Sequence, residues 1–226
     1  MSTTTTAATN QVVEHIVLFK VKPETPAAKI ASMVNGLYGL TSLPEVLHLT
    51  AGALHRTRSS SLSFTHMLHT RYRSKEDLNA YTVHPSHVSV VKESIRPIID
   101  DIMAVDWVSN DFNGPISPPA NSAMRVSFLK LKDERDENVK VEILGVLGGM
   151  DRYAPIEQLS CGENFSPDRA KGYSIASIAV FAGLSELDPL DFDAEFVRSG
   201  EEKVKDPLES VLVLDYVVPA AQAASL

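Results

Sequence analysis

The sequence predicts an α+β protein made of two tandem ferredoxin-like units, each with the element order βαββαβ. Two observations carry this prediction: four sequence blocks recur in the same order about 110 residues later, and each copy alternates strand-like with helix-like stretches. A four-stranded antiparallel sheet with helices on one face leaves its other face uncovered. The two sheets are therefore expected to pair with each other, which would give an intrachain α/β barrel.

The repeat is clearest in the strand-like blocks and the turns beside them. The blocks of the first copy are EHIVLFKVKPE, EVLHLTAGA, YRSKEDL and IIDDIMAVDWV; they return as MRVSFLKLKDE, PIEQLSCGEN, FAGLSEL and PLESVLVLDYV. Between the copies, SNDFNGPISPPAN is dense in residues that resist helix and central strand, so it is interpreted as a linker. The predicted organisation is a first domain at 12–109, a linker at 110–122 and a second domain at 123–218.

The first unit opens with QVVEHIVLFKVK, which is rich in β-branched and aromatic residues and therefore predicts a strand. A helix is expected next, with Thr25 as its N-cap and Pro26 at its first position. Its apolar residues are three and four positions apart, which gives the helix one apolar face: Ile30, Met33, Val34, Leu37 and Leu40.

The rest of the first unit is interpreted as a hairpin, two helices and a closing strand. EVLHLTAGAL and SFTHMLHTRYR are strand-like, and the basic stretch at 55–58 between them is expected to be a solvated hairpin loop. Ser74, with Asp77 three residues later, resembles a capping box and predicts a short helix. A second helix is expected from Pro85 to about Ile99, and IMAVDWV then closes the unit as a strand.

The composition of this 226-residue chain excludes several classes of protein. It is 44% hydrophobic and 22% charged, as expected for an ordinary soluble globular protein, and no apolar run approaches the roughly 18 residues of a membrane span. The net charge of −8 argues against a nucleic-acid partner. A single cysteine, Cys161, excludes an internal disulfide and is typical of a reducing compartment.

The stretch AYTVHPSHVSVV places Tyr81, His84 and His87 three residues apart around one proline. The residue before proline avoids the α conformation, so His84 is expected to act as the N-cap of the helix that follows. His87 falls in the first turn, where the helix dipole disfavours an imidazolium. We therefore expect a neutral, inward-facing His87 that shares its helix face with Val91. A neutral imidazole can accept a proton, and a nearby tyrosine hydroxyl can polarise a carbonyl.

The same residues allow plainer interpretations. His87 can simply bond a neighbouring backbone group, and Tyr81 can wedge a helix against the sheet, with no chemistry at either. His84 and His87 could hold a metal, but no acid stands in the stretch and the chain has no cysteine pair, so neither a metal nor a cofactor is predicted. His15, on the first strand, is either a satisfied core histidine or part of a pocket wall.

The residues that can handle protons lie in the first copy. All seven histidines lie in it, and the second copy has Arg125 where the first has His15. Residues 1–112 carry ten basic and ten acidic side chains, and residues 113–226 carry eleven and nineteen, so the net −8 belongs to the second half. Any site is therefore expected in the first domain, with the second as its structural cover. The residues of the second copy that align with Tyr81, His84 and His87 are Leu190, Asp193 and Phe196.

The order EHIVLFKVK, FTHMLHTRYRSKEDLNAY, HPSHV and IMAVDWV resembles the stress-responsive dimeric A/B barrel family, in its tandem plant form. The resemblance covers residues 13–108, and the second copy matches in its strands but lacks the HPxH box. It implies a dimeric α/β barrel formed within one chain. One plant member of this family, olivetolic acid cyclase, closes a linear polyketide by aldol condensation with a tyrosine and a histidine of this box. The resemblance thus implies Tyr81 and His87 as catalytic candidates, and His15 as a pocket residue.

Three functions stay open at this point. The first is binding of a small hydrophobic or aromatic molecule in the first domain, with His15, His84 and Val91 as binding residues. The second is a cyclase-like lyase that uses His87 and Tyr81, and the third is a stress protein with no ligand. The expected partners are that small molecule and, for further homo-oligomerisation, other copies of the chain, with no nucleic acid and no membrane. The final Ala-Ser-Leu loosely resembles a peroxisomal signal, so the expected location is cytoplasmic or peroxisomal.

Overall fold

The computed structural model describes residues 11–58, 62–110, 112–133, 136–152, 155–189 and 206–220. The first unit contains β1 (Val12–Val21), α1 (Ala27–Gly39), β2 (His48–Ala53), β3 (Arg56–Arg58), β4 (His66–Tyr72), α2 (Lys75–Val83), α3 (Pro85–Val90) and β5 (Ile99–Ser109). The second contains β6 (Ala123–Leu131), α4 (Glu137–Gly148), β7 (Gln158–Glu163), β8 (Ile175–Phe181), α5 (Leu184–Leu187) and β9 (Leu208–Val217). In the described part of the chain, no helix has the length and apolar character needed to cross a lipid bilayer.

The strands form two antiparallel sheets, which confirms the predicted α+β class and the two tandem ferredoxin-like units. The first sheet has the order β2-β4-β1-β5, and the second has the order β3-β9-β6-β8-β7. The extra strand β3 comes from the first unit but pairs with β9 of the second. Within the described residues the hydrogen-bonded ladders remain two sheets and do not close into one barrel; a single bridge between Trp107 and Asn164 joins two of their edges.

The two sheets pack face to face around one apolar core. Ile16 and Trp107 of the first sheet lie in the same buried cluster as Val126 and Tyr216 of the second. Because side chains alternate along a strand, the neighbours of Ile16 point the other way and pack under the helices, as Val17 does. Each sheet therefore has one face buried against the other unit and one face covered by helices.

Each unit also extends a segment onto the last strand of the other. After β2, the backbone N–H of His55 donates to the carbonyl of Asp215, 2.9 Å away. At the equivalent place in the second copy, the N–H of Phe165 donates to the carbonyl of Asp106, also at 2.9 Å. The basic stretch 55–58 is therefore not a solvated loop, and that prediction was wrong. It forms β3, because an edge of the second sheet offers it unpaired backbone groups.

A buried ionic network fixes the two units and the linker to one another. The guanidinium of Arg71 donates to Glu14 at 3.0 Å, to the side chain of Gln158 at 2.7 Å and to the carbonyl of Ile116 at 2.6 Å. Burial alone would raise the pKa of Glu14, but the charges and hydrogen bonds of Arg71 and His69 outweigh it and lower this pKa to about 2. Glu14 is thus a carboxylate at neutral pH, and it depends on Arg71 for its charge balance.

The helix boundaries differ from the predictions in two places. Helix α1 begins at Ala27 behind Pro26, with no side-chain cap, so Thr25 as N-cap was wrong. The helix expected to reach Ile99 is α-helical only as far as Val90; a π turn at Val91–Ile95 and a 3-10 turn at Arg96–Ile98 follow. Proline at position 97 has no N–H to continue α-helical bonding, which explains why the regular helix cannot extend through it. The predicted cap at Ser74 is confirmed, since its side chain accepts from the Asp77 N–H at 3.2 Å.

Gly162 gives a direct test of the close edge between the two sheets. A Cβ at this position would lie 2.7 Å from the Trp107 ring and 2.8 Å from the Val108 carbonyl oxygen. Since a backbone carbonyl cannot move aside as a flexible side chain can, we expect Gly162→Ala to lower the free energy of unfolding by about 1–3 kcal/mol. Urea denaturation measures this change.

The repeat supplies the matched control. Gly52 is the equivalent glycine in the first unit, where a Cβ would come no closer than 3.4 Å to the hydroxyl of Tyr216. Gly52→Ala should therefore cost clearly less stability than Gly162→Ala. Equal losses from the two variants would contradict the close contact at the Trp107 edge.

Candidate functional site

A cavity of about 400 Å³ lies between the first sheet and its helices. Its volume is within the ~300–1,000 Å³ typical of small-molecule sites. Alternate residues of β1 form one wall, and α3 with the π turn forms another, so the cavity brings together His15, His87 and Val91 from the predicted set. Tyr81 and His84 are not among its wall residues. The remaining apolar walls are Val17, Phe19, Leu37, Leu68, Val88, Ile95 and Ile102.

His87 is held as a neutral imidazole with one nitrogen available. Its Nδ1 lies 2.9 Å from the carbonyl oxygen of Thr82. A carbonyl can only accept, so Nδ1 carries the proton and Nε2 keeps its lone pair. The pKa of His87 is lowered, first by burial and further by the nearby cations, Arg169 among them, although the hydrogen bond to Thr82 acts in the opposite direction. The predicted neutral state agrees with this environment, with burial as the largest cause.

Tyr81 lies behind the cavity instead of at its surface. Its side chain is fully buried, and its ring centroid is 4.6 Å from that of His87 and 5.2 Å from that of Tyr72. The hydroxyl has no hydrogen-bond partner among the described residues, and burial raises its pKa. Tyr81 therefore positions the His87 ring by contact; a catalytic role for its hydroxyl stays a prediction.

His84 acts as the predicted N-cap. The residue is extended, with φ −61° and ψ 134°, and its Nδ1 accepts a hydrogen bond from the N–H of Ser86 at 3.2 Å. This conformation follows from the proline at position 85 and turns the ring toward the start of α3. Ligand binding by His84 stays a prediction that the cavity walls do not support.

The sequence did not single out the partner of His15, which is Asp106. The two residues lie opposite each other on β1 and β5, and the Nδ1 of His15 hydrogen-bonds to the Asp106 carboxylate. Burial would raise the pKa of Asp106, but the charge and hydrogen bond of His15 outweigh it, so this pKa is lowered. With Nδ1 bonded to a carboxylate, Nε2 is the nitrogen of His15 that can exchange a proton in the cavity.

The second unit keeps the equivalent aspartate but surrounds it with arginine. Asp215 pairs with Arg125 in the same strand register, with Nε to Oδ1 at 2.9 Å. Arg56, from β3 of the first unit, donates to its other oxygen at 2.7 Å. Both partners are permanently charged, so this ion pair cannot transfer a proton as a histidine pair can. The sequence could have pointed to these aspartates, since Asp106 and Asp215 occupy the same position in the repeated closing strand. The other aligned positions, Leu190, Asp193 and Phe196, lie outside the described residues.

The second unit also contributes a wall residue, which corrects the expectation that it is only a structural cover. Its segment after β7 docks on β5, where Asn164 accepts a hydrogen bond from the Asp106 N–H at 3.1 Å. Arg169 ends the short turn that follows and reaches the wall of the cavity. Its charge lowers the pKa of both His87 and Asp106. Residues from both units therefore build one site.

Metal ligands are not grouped at this site. Across the described ranges, no three histidine, cysteine or acidic side chains lie together in a way that could hold an ion. One nitrogen of each cavity histidine already has an oxygen acceptor. Nδ1 of His15 bonds to the Asp106 carboxylate, and Nδ1 of His87 bonds to the carbonyl of Thr82. The chemistry that the arrangement supports is proton exchange at two imidazoles beside an apolar cavity.

The proximity of Arg169 to His87 can be measured by titration. Arg169→Gln removes a cation that disfavours the imidazolium, so the pKa of His87 should rise toward its ordinary value. NMR of the imidazole resonances against pH gives the midpoint. Lys29→Gln removes an exposed cation on α1 that is not part of the cavity wall, and should leave the midpoint unchanged. An unchanged midpoint in Arg169→Gln would contradict the placement of Arg169 at this wall.

Comparison with known proteins agrees with this architecture. The family model of the stress responsive A/B barrel domain matches twice, at residues 13–109 and 124–218. One stress-response A/B barrel domain-containing protein of Arabidopsis thaliana is 48% identical over 96% of this chain and 82% of that protein. A second protein of this kind from the same plant is 43% identical over 94% of this chain and 99% of its own length.

A solved structure supports the fold at the level of the backbone. An anthrone oxidase-like protein superposes with a TM-score of 0.61 over 96% of this chain and 97% of its own, at 11% identity. At this identity the likeness shows the shared fold. With two matches of the family model and two relatives above 40% identity, the chain belongs to the stress responsive A/B barrel domain family.

Proposed function

We propose that this stress-response A/B barrel protein binds a small hydrophobic or aromatic molecule in the cavity of its first unit. The observation that carries the proposal is the cavity itself, about 400 Å³ with mostly apolar walls. Protein interiors keep few voids larger than a water molecule, so an apolar space of this size supports a ligand more than it supports a filled, ligand-free barrel. His15 and His87 are among the polar groups of the wall that would orient the molecule.

The neutral fluorescent probe N-phenyl-1-naphthylamine tests this proposal. We expect it to bind, with increased fluorescence, and to raise the melting temperature by mass action. Val91→Phe places a ring inside the cavity and should weaken binding at least about tenfold, equivalent to about 1.4 kcal/mol. The matched control is Val141→Phe, on the exposed face of α4, where the side chain is 70% accessible. No binding to the wild type, or equal binding by the two variants, would remove the proposal.

A cyclase-like lyase is the second candidate, and one observation favours it. Two imidazoles, His15 and His87, share the cavity, and each has Nε2 as its available nitrogen. In an aldol-type closure, His87 would take a proton from a carbon between two carbonyls, and that carbon would then bond to a third carbonyl carbon of the same chain. The π electrons of that carbonyl would move to its oxygen, which would take up a proton and become a hydroxyl.

Incubation with linear tetraketide thioesters tests the lyase. We expect a cyclised product from the wild type and a loss of about 10²-fold or more in His87→Ala, the usual contribution of a general base. Probe binding by His87→Ala is the control for an intact cavity. No product from the wild type, or equal product from the variant, would leave binding as the function.

The compartment is a further part of this proposal. The Ala-Ser-Leu at 224–226 lies outside the described residues, and only its loose likeness to a peroxisomal signal supports peroxisomal over cytoplasmic location. A fluorescent protein fused ahead of the chain, with and without these three residues, distinguishes the two compartments.

A further inference from the structure

We infer that the molecule held in this cavity carries an acidic group, an inference that rests on the proposed binding function. Three cationic side chains line the same cavity as the apolar walls: Lys92, Arg96 and Arg169. Among the residues that the structure describes, no aspartate or glutamate lines this wall. A neutral hydrocarbon ligand would form no favourable charge interaction with these three cations, whereas an anionic ligand would.

The charged ends of these three side chains are not paired within the protein. In the described part of the chain, none of the three side chains forms a hydrogen bond or an ion pair. Two carboxylates of this region are already engaged, Asp106 with His15 and Asp101 with Lys171 at 2.7 Å, and the neighbours Glu93 and Asp168 form no ion pair with the three cations. An anion that entered the cavity could therefore pair with cations that are exposed and not already paired.

The placement of these cations indicates which end of the ligand is acidic. Lys92 and Arg96 are four residues apart in the irregular turns after α3, and both are exposed. Arg169 approaches from the other unit and is also exposed. The apolar walls, Phe19 and Leu68 among them, belong to buried strands. The ligand would place its apolar body against the sheet and its acidic group at the cavity mouth.

The chemistry of these side chains favours a compact oxyanion such as a carboxylate. Arginine offers a planar fork that matches the two oxygens of a carboxylate, and lysine adds a point charge. A single exposed ion pair contributes little binding free energy. An ion pair beside an apolar wall contributes more, because water and salt screen it less than they screen a pair on an open surface. The positive mouth also stands out in a chain of net charge −8, so local attraction and not overall charge would draw the anion in.

A matched pair of ligands isolates the charge. 2-Naphthoate and 2-naphthamide have the same ring and nearly the same shape, but only the first is an anion at neutral pH. Each competes with bound N-phenyl-1-naphthylamine. We expect the acid to displace the probe at a concentration about fivefold lower than the amide, with a preference that shrinks in high salt. Equal or weaker displacement by the acid overturns the inference.

Charge-removing variants test which residues are responsible. Arg169→Gln should reduce the preference for the acid about twofold, and the triple variant Lys92→Gln, Arg96→Gln, Arg169→Gln should abolish it. The preference is the ratio of the acid and amide affinities within each variant, so a change that weakens both ligands equally does not alter it. Lys29→Gln makes the same change in net charge as Arg169→Gln, but on α1, and should keep the preference.

The two proposals fail in different ways. If the neutral probe binds and the triple variant still prefers the acid, the cationic mouth is not the cause and this inference is overturned, while binding stands. If the neutral probe does not bind the wild type at all, the proposed function fails and the inference falls with it.

Discussion

The structure depends on one constraint: each antiparallel sheet must bury the face that its own helices leave uncovered. The second copy supplies that cover, and a single apolar core runs from Ile16 and Trp107 to Val126 and Tyr216. The same burial forces polar groups on the shared face to find partners inside the protein, because a buried unpaired charge costs far more than a paired one. Arg71 and Glu14 satisfy each other there and link both units to the connecting segment.

This mutual burial also explains why the site is built from both copies. Once the sheets lie face to face, the segment that leaves the edge strand of each unit reaches the closing strand of the other. In one direction it brings Arg56 to Asp215, and in the other it brings Asn164 and Arg169 to Asp106. The two halves have thus kept one geometry and diverged in chemistry.

The divergence is clearest at the two equivalent aspartates. Asp106 faces a histidine, a residue type that can gain and lose a proton, whereas Asp215 is held between two arginines that keep their charge. The first arrangement leaves a nitrogen available beside a cavity. The second is a fixed ion pair that can stabilise but cannot exchange protons.

The irregular end of the helix in the first unit also helps to form the cavity. Beyond Val90 the chain passes through a π turn and a 3-10 turn, and these turns carry the apolar wall residues Val91 and Ile95 together with Lys92 and Arg96. π turns recur at functional sites because the inserted residue changes which side chains share a face. Sequence periodicity alone assumed a regular helix here and could not show this change.

The sequence by itself determined the local and repetitive features of this protein. The tandem units, the strand and helix order, the caps at Ser74 and His84 and the presence of Val91 and His87 on one wall follow from spacing and proline chemistry, which act over a few residues. Only the tertiary structure decided that Tyr81 lies behind the cavity, that His15 pairs with Asp106, and that Arg169 joins the site from the other unit. These contacts join residues that are far apart in the sequence, and neither hydrophobic pattern nor local propensity specifies which long-range neighbours will meet.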